Sequence, residues 1–186
     1  MNEPHSASPS AISKGRLEFL YDGIFAIAMT ILVLELKVPE LVDSLSVAEL
    51  ERALAHHAPT FASYLLSFLM LGILWTRHNH DYRHFRVITQ PMLVITMVQL
   101  AAAAFFPFCA ALLGRYPRNT FSFVPYAGCV LVLVLCRLAN WVVARRCGSL
   151  AEFPEPDYLR IRKRILRGCL ALSAIFALSL LRVFAR

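Results

Sequence analysis

Five long apolar runs, separated by short polar segments, divide the chain. Each run approaches or exceeds the length of about 20 residues that an α-helix needs to cross a bilayer. A helix satisfies its own backbone hydrogen bonds, which lipid cannot do, so such runs predict spanning helices. We therefore predict an all-α membrane protein, a bundle of about five transmembrane helices. The predicted spans are residues 17–38, 60–76, 88–113, 121–144 and 165–184.

Segments outside these runs carry signals of their own. Residues 1–15 are polar and predict a disordered N-terminal tail, which leaves residues 16–186 as a single transmembrane helical domain. Between the first two spans, Ser46 and Glu49 have the spacing of a capping box and predict a short amphipathic helix. Pro107 lies within the third span and predicts a kink there.

Composition agrees with a membrane protein. Hydrophobic residues make up 58% of the chain and charged residues 17%, which is more apolar than a typical soluble domain. The net charge of +7 raises the question of a nucleic-acid partner. We expect no nucleic acid, because the basic residues adjoin the apolar runs, where membrane topology accounts for them.

The distribution of Lys and Arg predicts the orientation. With the N-terminus inside, the inner segments carry about twice as many basic residues as the outer ones. The first outer loop is acidic, which agrees with this orientation. An odd number of spans then places the C-terminus outside. We expect a multi-pass protein of the cell membrane, the inner membrane in a bacterium, with a cytoplasmic N-terminus.

The first predicted helix carries an apolar stripe along one face. At 100° per residue, its members share one side of the helix, and Asp22 points away from them. Such a stripe usually faces lipid or the protein core, and periodicity alone does not indicate a pore. The stripe consists of Leu20, Gly23, Ile24, Ile27, Thr30, Ile31 and Leu34.

Asp22 and a group of histidines are the candidates for polar chemistry. An ionisable group inside a span faces protein or water, because lipid exposure costs about 2.5–3.5 kcal/mol at mid-span. His78 or Arg16 lies at a depth that would allow a hydrogen bond to Asp22; otherwise Asp22 reaches the headgroups. His78, His80 and His84 follow the second span and suggest either a metal site or a solvated helix end. We predict no metal, because a fourth ligand is not evident.

Three motifs, in order, resemble the transmembrane protein 175 family of potassium channels. The first-helix run RLEFLYDGIFAIAMTILVLELKVP resembles the family's signature of an arginine followed by Phe-Ser-Asp and Gly-Val-Phe-Ala-Ile-Ala. SYLLSFLMLGILWTRH resembles the second helix, and AAAAFFPFCAALLGRYP resembles the Pro-Phe third helix. The similarity covers roughly residues 16 to 145 and places the chain in the bacterial branch. The matching residues of the first two motifs are Arg16, Asp22, Gly23, Phe25, Ala26, Ile27, Ala28, Thr30, Ser67, Phe68, Trp75 and His78.

The resemblance implies a homo-oligomer, a tetramer in bacterial members, whose first helices line a central pore for potassium. It implies a hydrophobic constriction at Ile27, with Thr30 and Leu34 in the following turns. Leu20, Gly23, Ile24 and Ile31 would line the rest of the pore. It also implies that Arg16, Asp22, Trp75 and His78 form a network that packs the helix into its subunit.

The chain departs from the family pattern in two ways. The family's Phe-Ser-Asp is Leu20-Tyr21-Asp22 here, so a phenol replaces the serine. Bacterial members usually have six helices, whereas the hydrophobic pattern predicts five.

From the sequence we expect a potassium-preferring cation channel with passive permeation, gated by the constriction in the first helix. Its partners would be further copies of itself, potassium ions and the bilayer, without a cofactor and without enzymatic chemistry. Two alternatives stay open: a non-conducting membrane protein of the same fold, and a histidine-based metal-binding membrane protein.

Overall fold

The computed structural model describes residues 13–42, 45–150 and 155–184, and these residues form helices joined by short loops. Most of the predicted N-terminal tail, residues 1–12, lies outside the described residues. The elements are α1 (Lys14–Ile31), a short 3-10 helix (Leu32–Glu35) that continues it, α2 (Val47–His56), α3 (Ala58–Tyr82), α4 (Gln90–Arg115), α5 (Thr120–Arg146) and α6 (Glu155–Phe184).

Among the described residues, four helices are long and apolar enough to cross a membrane. They are α1 with its 3-10 extension, α3, α4 and α5, which confirms the first four predicted spans. The fifth predicted span coincides with the second half of α6, where several side chains lie outside the described part of the chain. Residues 165–184 are helical, and their crossing of the membrane stays a prediction.

Local sequence explains where the helices begin. The Ser46 hydroxyl accepts a hydrogen bond from the Glu49 amide at the start of α2, which confirms the predicted helix between the first two spans. The Asn119 side chain caps α5 by accepting from the Phe121 amide at 3.0 Å. Such caps satisfy amides that have no partner within the helix. Helices α3 and α4 carry proline in their first turn, where the missing N–H is not needed.

Helix α4 is central, because it packs against α1, α3 and α5, and α5 in turn packs against α6. Gly114, near the end of α4, allows a close approach to α3: a Cβ at this position would lie 3.1 Å from both Thr60 Cα and Ser63 Cβ. The Ser63 hydroxyl donates to the Ala110 carbonyl at 2.7 Å at the same contact. Pro107 is buried within α4, which continues through it.

The two ends of the bundle are distinct. At one end, the α3–α4 loop meets the α5–α6 loop, where the Arg86 amide donates to the Ser149 carbonyl at 2.7 Å. Lys14, at the start of α1, reaches the same place and donates to the Phe85 carbonyl at 2.9 Å. We call this the N-terminal end of the bundle. The contact between Thr60 and Gly114 marks the opposite end, where α2 also connects to α3.

Candidate pore-lining face and its support

Helix α1 has one buried face. The side chains on that face are fully covered by α3 and α4 and belong to the core of the subunit. They recur every three or four residues, the spacing of one side of a helix. The buried face, including the first residue of the 3-10 extension, consists of Leu17, Tyr21, Phe25, Ala28 and Leu32.

The other side of α1 carries the apolar stripe predicted from the sequence. Ile27 and Leu34 are 58% and 71% exposed, and Ile24 is half-buried. The remaining stripe residues, Leu20, Gly23, Thr30 and Ile31, are also exposed. The hydroxyl of Thr30 donates to the Ile27 carbonyl at 2.8 Å, so it bonds to its own helix. Within one subunit, the stripe is therefore free to face lipid or further subunits.

Asp22 contacts α3 through Trp75. The indole Nε1–H donates to the Asp22 carboxylate at 2.8 Å, which joins two of the four residues predicted for the packing network. The carboxylate receives this hydrogen bond from Trp75 and, among the described residues, from neither His78 nor Arg16. The sequence-based choice of donor was wrong, because similar depth in the membrane does not decide which side chain points at the carboxylate.

His78 lies behind α1 and is buried between two phenol rings. Its ring stacks on Tyr21 with centroids 3.3 Å apart and contacts the Tyr82 ring at a tilt of 34°, with centroids 4.0 Å apart. The Tyr21 hydroxyl accepts a hydrogen bond from the Gln99 amide at 3.2 Å, which links α1 to α4. His78 of α3 therefore contacts α1 through the Tyr21 ring. Arg16, the fourth predicted member of the network, is exposed on α1.

A buried ion pair joins α3 to α5 close to His78. The Arg137 guanidinium donates through two nitrogens to the Asp81 carboxylate, with Nη2 at 2.9 Å from Oδ1. Both side chains are largely buried. The forked geometry satisfies both carboxylate oxygens, as a charge inside a membrane requires. Sequence reasoning missed this pair, although an arginine inside an apolar run is itself a signal that an acidic partner lies at the same depth.

Thr96 of α4 links polar side chains of α3 and α5. Its hydroxyl lies 3.1 Å from the Tyr82 hydroxyl and accepts from the Asn140 amide at 3.2 Å. These residues come from α3, α4 and α5, and all lie within a few turns of the N-terminal end of the bundle. We call Tyr21, His78, Asp81, Tyr82, Thr96, Gln99, Arg137 and Asn140 the polar cluster.

The three histidines do not converge on a metal site. His78 faces the core, while the rings of His80 and His84 meet edge to face with centroids 5.2 Å apart. The pKa of His84 is lowered from its ordinary value, mainly because the side chain is partly buried and secondly because His80 lies nearby. Among the described residues, no group of three His, Cys, Asp or Glu side chains is arranged to hold a metal ion.

Similarity to known proteins agrees with this geometry. The family described as "Endosomal/lysosomal potassium channel TMEM175" matches residues 16–107. A potassium channel of Streptomyces collinus is 34% identical over 160 residues, which cover 84% of this chain and 76% of the relative. The chain belongs to the TMEM175 family. This family consists of channels, so the protein is not an enzyme, and its members need no cofactor.

A solved structure of the family has the same fold. The crystal structure of a lysosomal potassium-selective channel TMEM175 homolog from Chamaesiphon minutus is similar with a TM-score of 0.79. It is 27% identical in sequence, and the similarity covers 92% of this chain and 89% of that one. Together with the four apolar helices, this likeness makes the protein a multi-pass membrane protein and a member of a cation channel family.

A bovine relative is longer and is named as a proton channel, not a potassium channel. The endosomal/lysosomal proton channel TMEM175 of Bos taurus is 30% identical over 142 residues. The matched part covers 72% of this chain and only 30% of the bovine protein. The names of TMEM175 relatives thus include both potassium and proton channels, which makes the permeant ion of this chain a matter for measurement.

Proposed function

We propose that this protein is a potassium-preferring cation channel in which several copies of α1 surround a central pore. The copies form a homo-oligomer, a tetramer by analogy with the family resemblance. The observation that carries the proposal is the exposed apolar stripe of α1, whose opposite face is fixed to the subunit by the core and by Trp75. A helix held from behind in this way presents its free face in a defined direction.

The constriction of the proposed pore is formed by Ile27, with Thr30 and Leu34 in the following turns. Ile27 side chains from several subunits meet on the axis and exclude water, because stripping an ion of its hydration without replacing it is unfavourable. Wetting and dewetting of this ring gate the pore. Leu20, Gly23, Ile24 and Ile31 line the passage on either side of the ring, and Asp22 points away from it.

Potassium is proposed as the preferred ion because the Streptomyces relative is named a potassium channel and the Chamaesiphon structure is titled potassium-selective. The bovine relative is named a proton channel. Potassium, sodium and proton fluxes should therefore be measured side by side in liposomes that contain the purified protein. We expect a potassium flux above that of sodium, and its absence in an assembled, folded preparation would indicate a non-conducting protein of the same fold.

The constriction is tested by Ile27→Asn. A polar side chain on the axis keeps the ring hydrated, so we expect a higher flux and weaker discrimination between potassium and sodium. The matched control is Leu135→Asn, which places the same side chain at an exposed apolar position of α5, while α1 packs mainly on α4 and α3. Unchanged fluxes in an assembled Ile27→Asn variant, or equal effects at both positions, would show that Ile27 does not form the constriction.

The orientation is the remaining part of the proposal. We place the N-terminus in the cytoplasm and the protein in the cell membrane, because basic residues concentrate at the N-terminal end of the bundle. Reporter fusions at both termini test this orientation. A cytoplasmic N-terminus with an external C-terminus is expected if α6 spans the membrane. Two cytoplasmic termini would mean that α6 does not cross it.

A further inference from the structure

The first half of α6 carries a row of positive charges on one face. Residues 160, 163, 164 and 167 follow the spacing of neighbours along a helix, and they fall within an arc of about 100°. All four side chains are exposed, and together they line an open hollow of about 250 Å³. We call Arg160, Lys163, Arg164 and Arg167 the basic stripe.

The opposite face of this part of α6 is buried. Tyr158, Ile165 and Cys169 lie in the same core cluster as Trp141 and Ala144 of α5. The rotation of α6 about its own axis is therefore fixed by packing, and the basic stripe is directed away from the bundle. A topological signal requires only the number of basic residues near a span. It does not require that they share one outward face and enclose a hollow.

Within the stripe, Lys163, Arg164 and Arg167 have no Asp or Glu within four positions on α6, whereas Asp157 lies three positions before Arg160. The sequence contains no Asp or Glu between residues 158 and 184. Like charges at helical spacing repel one another unless anions lie between them. Arginine and lysine arranged in this way suit phosphate oxygens, which arginine can bind through two nitrogens.

The position of the stripe indicates the source of the phosphate. It lies at the N-terminal end of the bundle, since α6 follows the loop that meets Phe85. After Arg167, the helix has no charged residue until Arg182. The stripe thus stands where a helix passes from a charged to an apolar environment, at the level of lipid headgroups. Basic groups next to a membrane segment attract anionic lipids.

We propose that the basic stripe binds the headgroups of anionic phospholipids in the leaflet at the N-terminal end of the bundle. The lipid phosphates lie between Lys163, Arg164 and Arg167, with Arg160 at the edge of the hollow. The acyl chains then follow the apolar second half of α6. A bound lipid would hold α6 against α5 from outside the bundle.

The experiment measures stabilisation by short-chain lipid in detergent, which avoids any dependence on membrane orientation. Thermal unfolding of the whole protein is followed with increasing dihexanoyl phosphatidylglycerol, with dihexanoyl phosphatidylcholine, and with inorganic phosphate. A ligand that binds the native state raises the unfolding temperature, and the stabilisation grows as RT ln(1 + [L]/Kd) with ligand concentration. We expect a clear rise with phosphatidylglycerol and a smaller one with the other two at equal concentration.

The variant Lys163→Gln/Arg164→Gln/Arg167→Gln tests the site itself. Each neutralised charge near an anionic surface lowers affinity about fivefold, so the triple variant should lose affinity on the order of 100-fold. The matched control removes three basic residues at the opposite end, Lys37→Gln/Arg115→Gln/Arg118→Gln, and should keep the response. The variant Arg164→Lys/Arg167→Lys retains both positive charges and should keep most of the stabilisation by phosphatidylglycerol.

Three outcomes would contradict the proposal. An undiminished response in the glutamine variant would place the lipid elsewhere, and an equal loss in the control would indicate attraction by net charge. A response to inorganic phosphate as large as that to phosphatidylglycerol would make the ligand a soluble anion. If the glutamine variant does not fold, Lys163→Gln and Arg167→Gln are tested singly, each with an expected loss of about fivefold.

Discussion

The two faces of helix α1 differ in how far the rest of the subunit covers them. The outward face is apolar and, apart from the half-buried Ile24, is exposed among the described residues, whereas the inward face is buried and its Tyr21 contacts polar-cluster residues of α3 and α4. In lipid, burial of apolar side chains does not distinguish one face from the other, because the solvent is equally apolar. Packing and polar contacts must therefore determine which face of α1 turns inward. Because contacts on the inward face fix the rotation of α1, the outward face has a defined direction.

The strongest test of this comparison removes the ion pair behind α1. Asp81→Ala leaves the buried Arg137 guanidinium without its counter-charge, and breaking a buried pair in this way costs roughly 3–5 kcal/mol. We expect a large loss of folded protein, measured by thermal unfolding in detergent and by the monodisperse fraction in size-exclusion chromatography.

A double variant separates charge from packing at this position. Asp81→Leu combined with Arg137→Met replaces both partners with apolar groups of similar size, which is often close to neutral. This protein should recover most of the lost stability. If Asp81→Ala unfolds at the wild-type temperature, the ion pair does not hold α3 to α5, and the support assigned to the inward face is weaker than the geometry indicates.

A smaller loss is expected where α1 itself is held. Asp22→Ala removes the acceptor of the Trp75 hydrogen bond, and a hydrogen bond to a charged group contributes about 1.5–3 kcal/mol. Trp75→Phe removes the donor and keeps a large ring, so it should cost a similar amount. The double variant should be little worse than either single one, because both changes remove the same contact.

The ion preference of these variants provides the second readout. Stability or assembly should fall in Asp22→Ala while the ratio of potassium to sodium flux stays near that of the wild type. Normal assembly with an altered ratio would instead indicate that Asp22 lines the pore, and the distinction between the two faces of α1 would fail.

The smallest effect is expected on the outward face at Thr30. Its hydroxyl bonds to the Ile27 carbonyl of its own helix, so Thr30→Ala breaks no contact with another element. An exposed substitution of this kind usually changes stability by less than about 0.5 kcal/mol. Liposome flux should change much less than in Ile27→Asn. A complete loss of conduction in Thr30→Ala would instead assign the hydroxyl a direct role in passing the ion.

Much of the helical architecture could be predicted because hydrophobic runs and helical periodicity are local properties of the chain. The exposed stripe of α1 follows from the spacing of apolar residues, and the cap at Ser46 follows from the residue type three positions before Glu49. The pairing of Asp22 with Trp75 could not be decided in this way. Periodicity gives the direction of a side chain from its own helix and does not give the rotation of the helix that faces it.

The polar cluster shows a second limit of sequence reasoning. The hydrophobic pattern did not pair Asp81 with Arg137, because the two residues lie 56 positions apart in the chain. The cost of an isolated charge in lipid would have required a partner for Arg137, and Asp81 lies at a matching depth. Gln99 and Thr96 gave no comparable signal, because uncharged polar residues are tolerated in a span wherever a neighbouring helix offers a hydrogen bond.

The cavities that would result from shortening Tyr21 and from shortening Phe25 of helix α1 differ in polarity. Its ring fills the volume that the family's serine would leave, next to the His78 Nε2 atom and the Gln99 side-chain oxygen, which have no hydrogen-bond partners among the described residues. Shortening Tyr21 to serine would open a hole with polar walls, which water fills readily. Shortening Phe25, one turn further along, would open a hole in the apolar cluster, which stays dry and admits xenon instead. The same helix thus separates a part of the subunit that can be hydrated from a part that cannot.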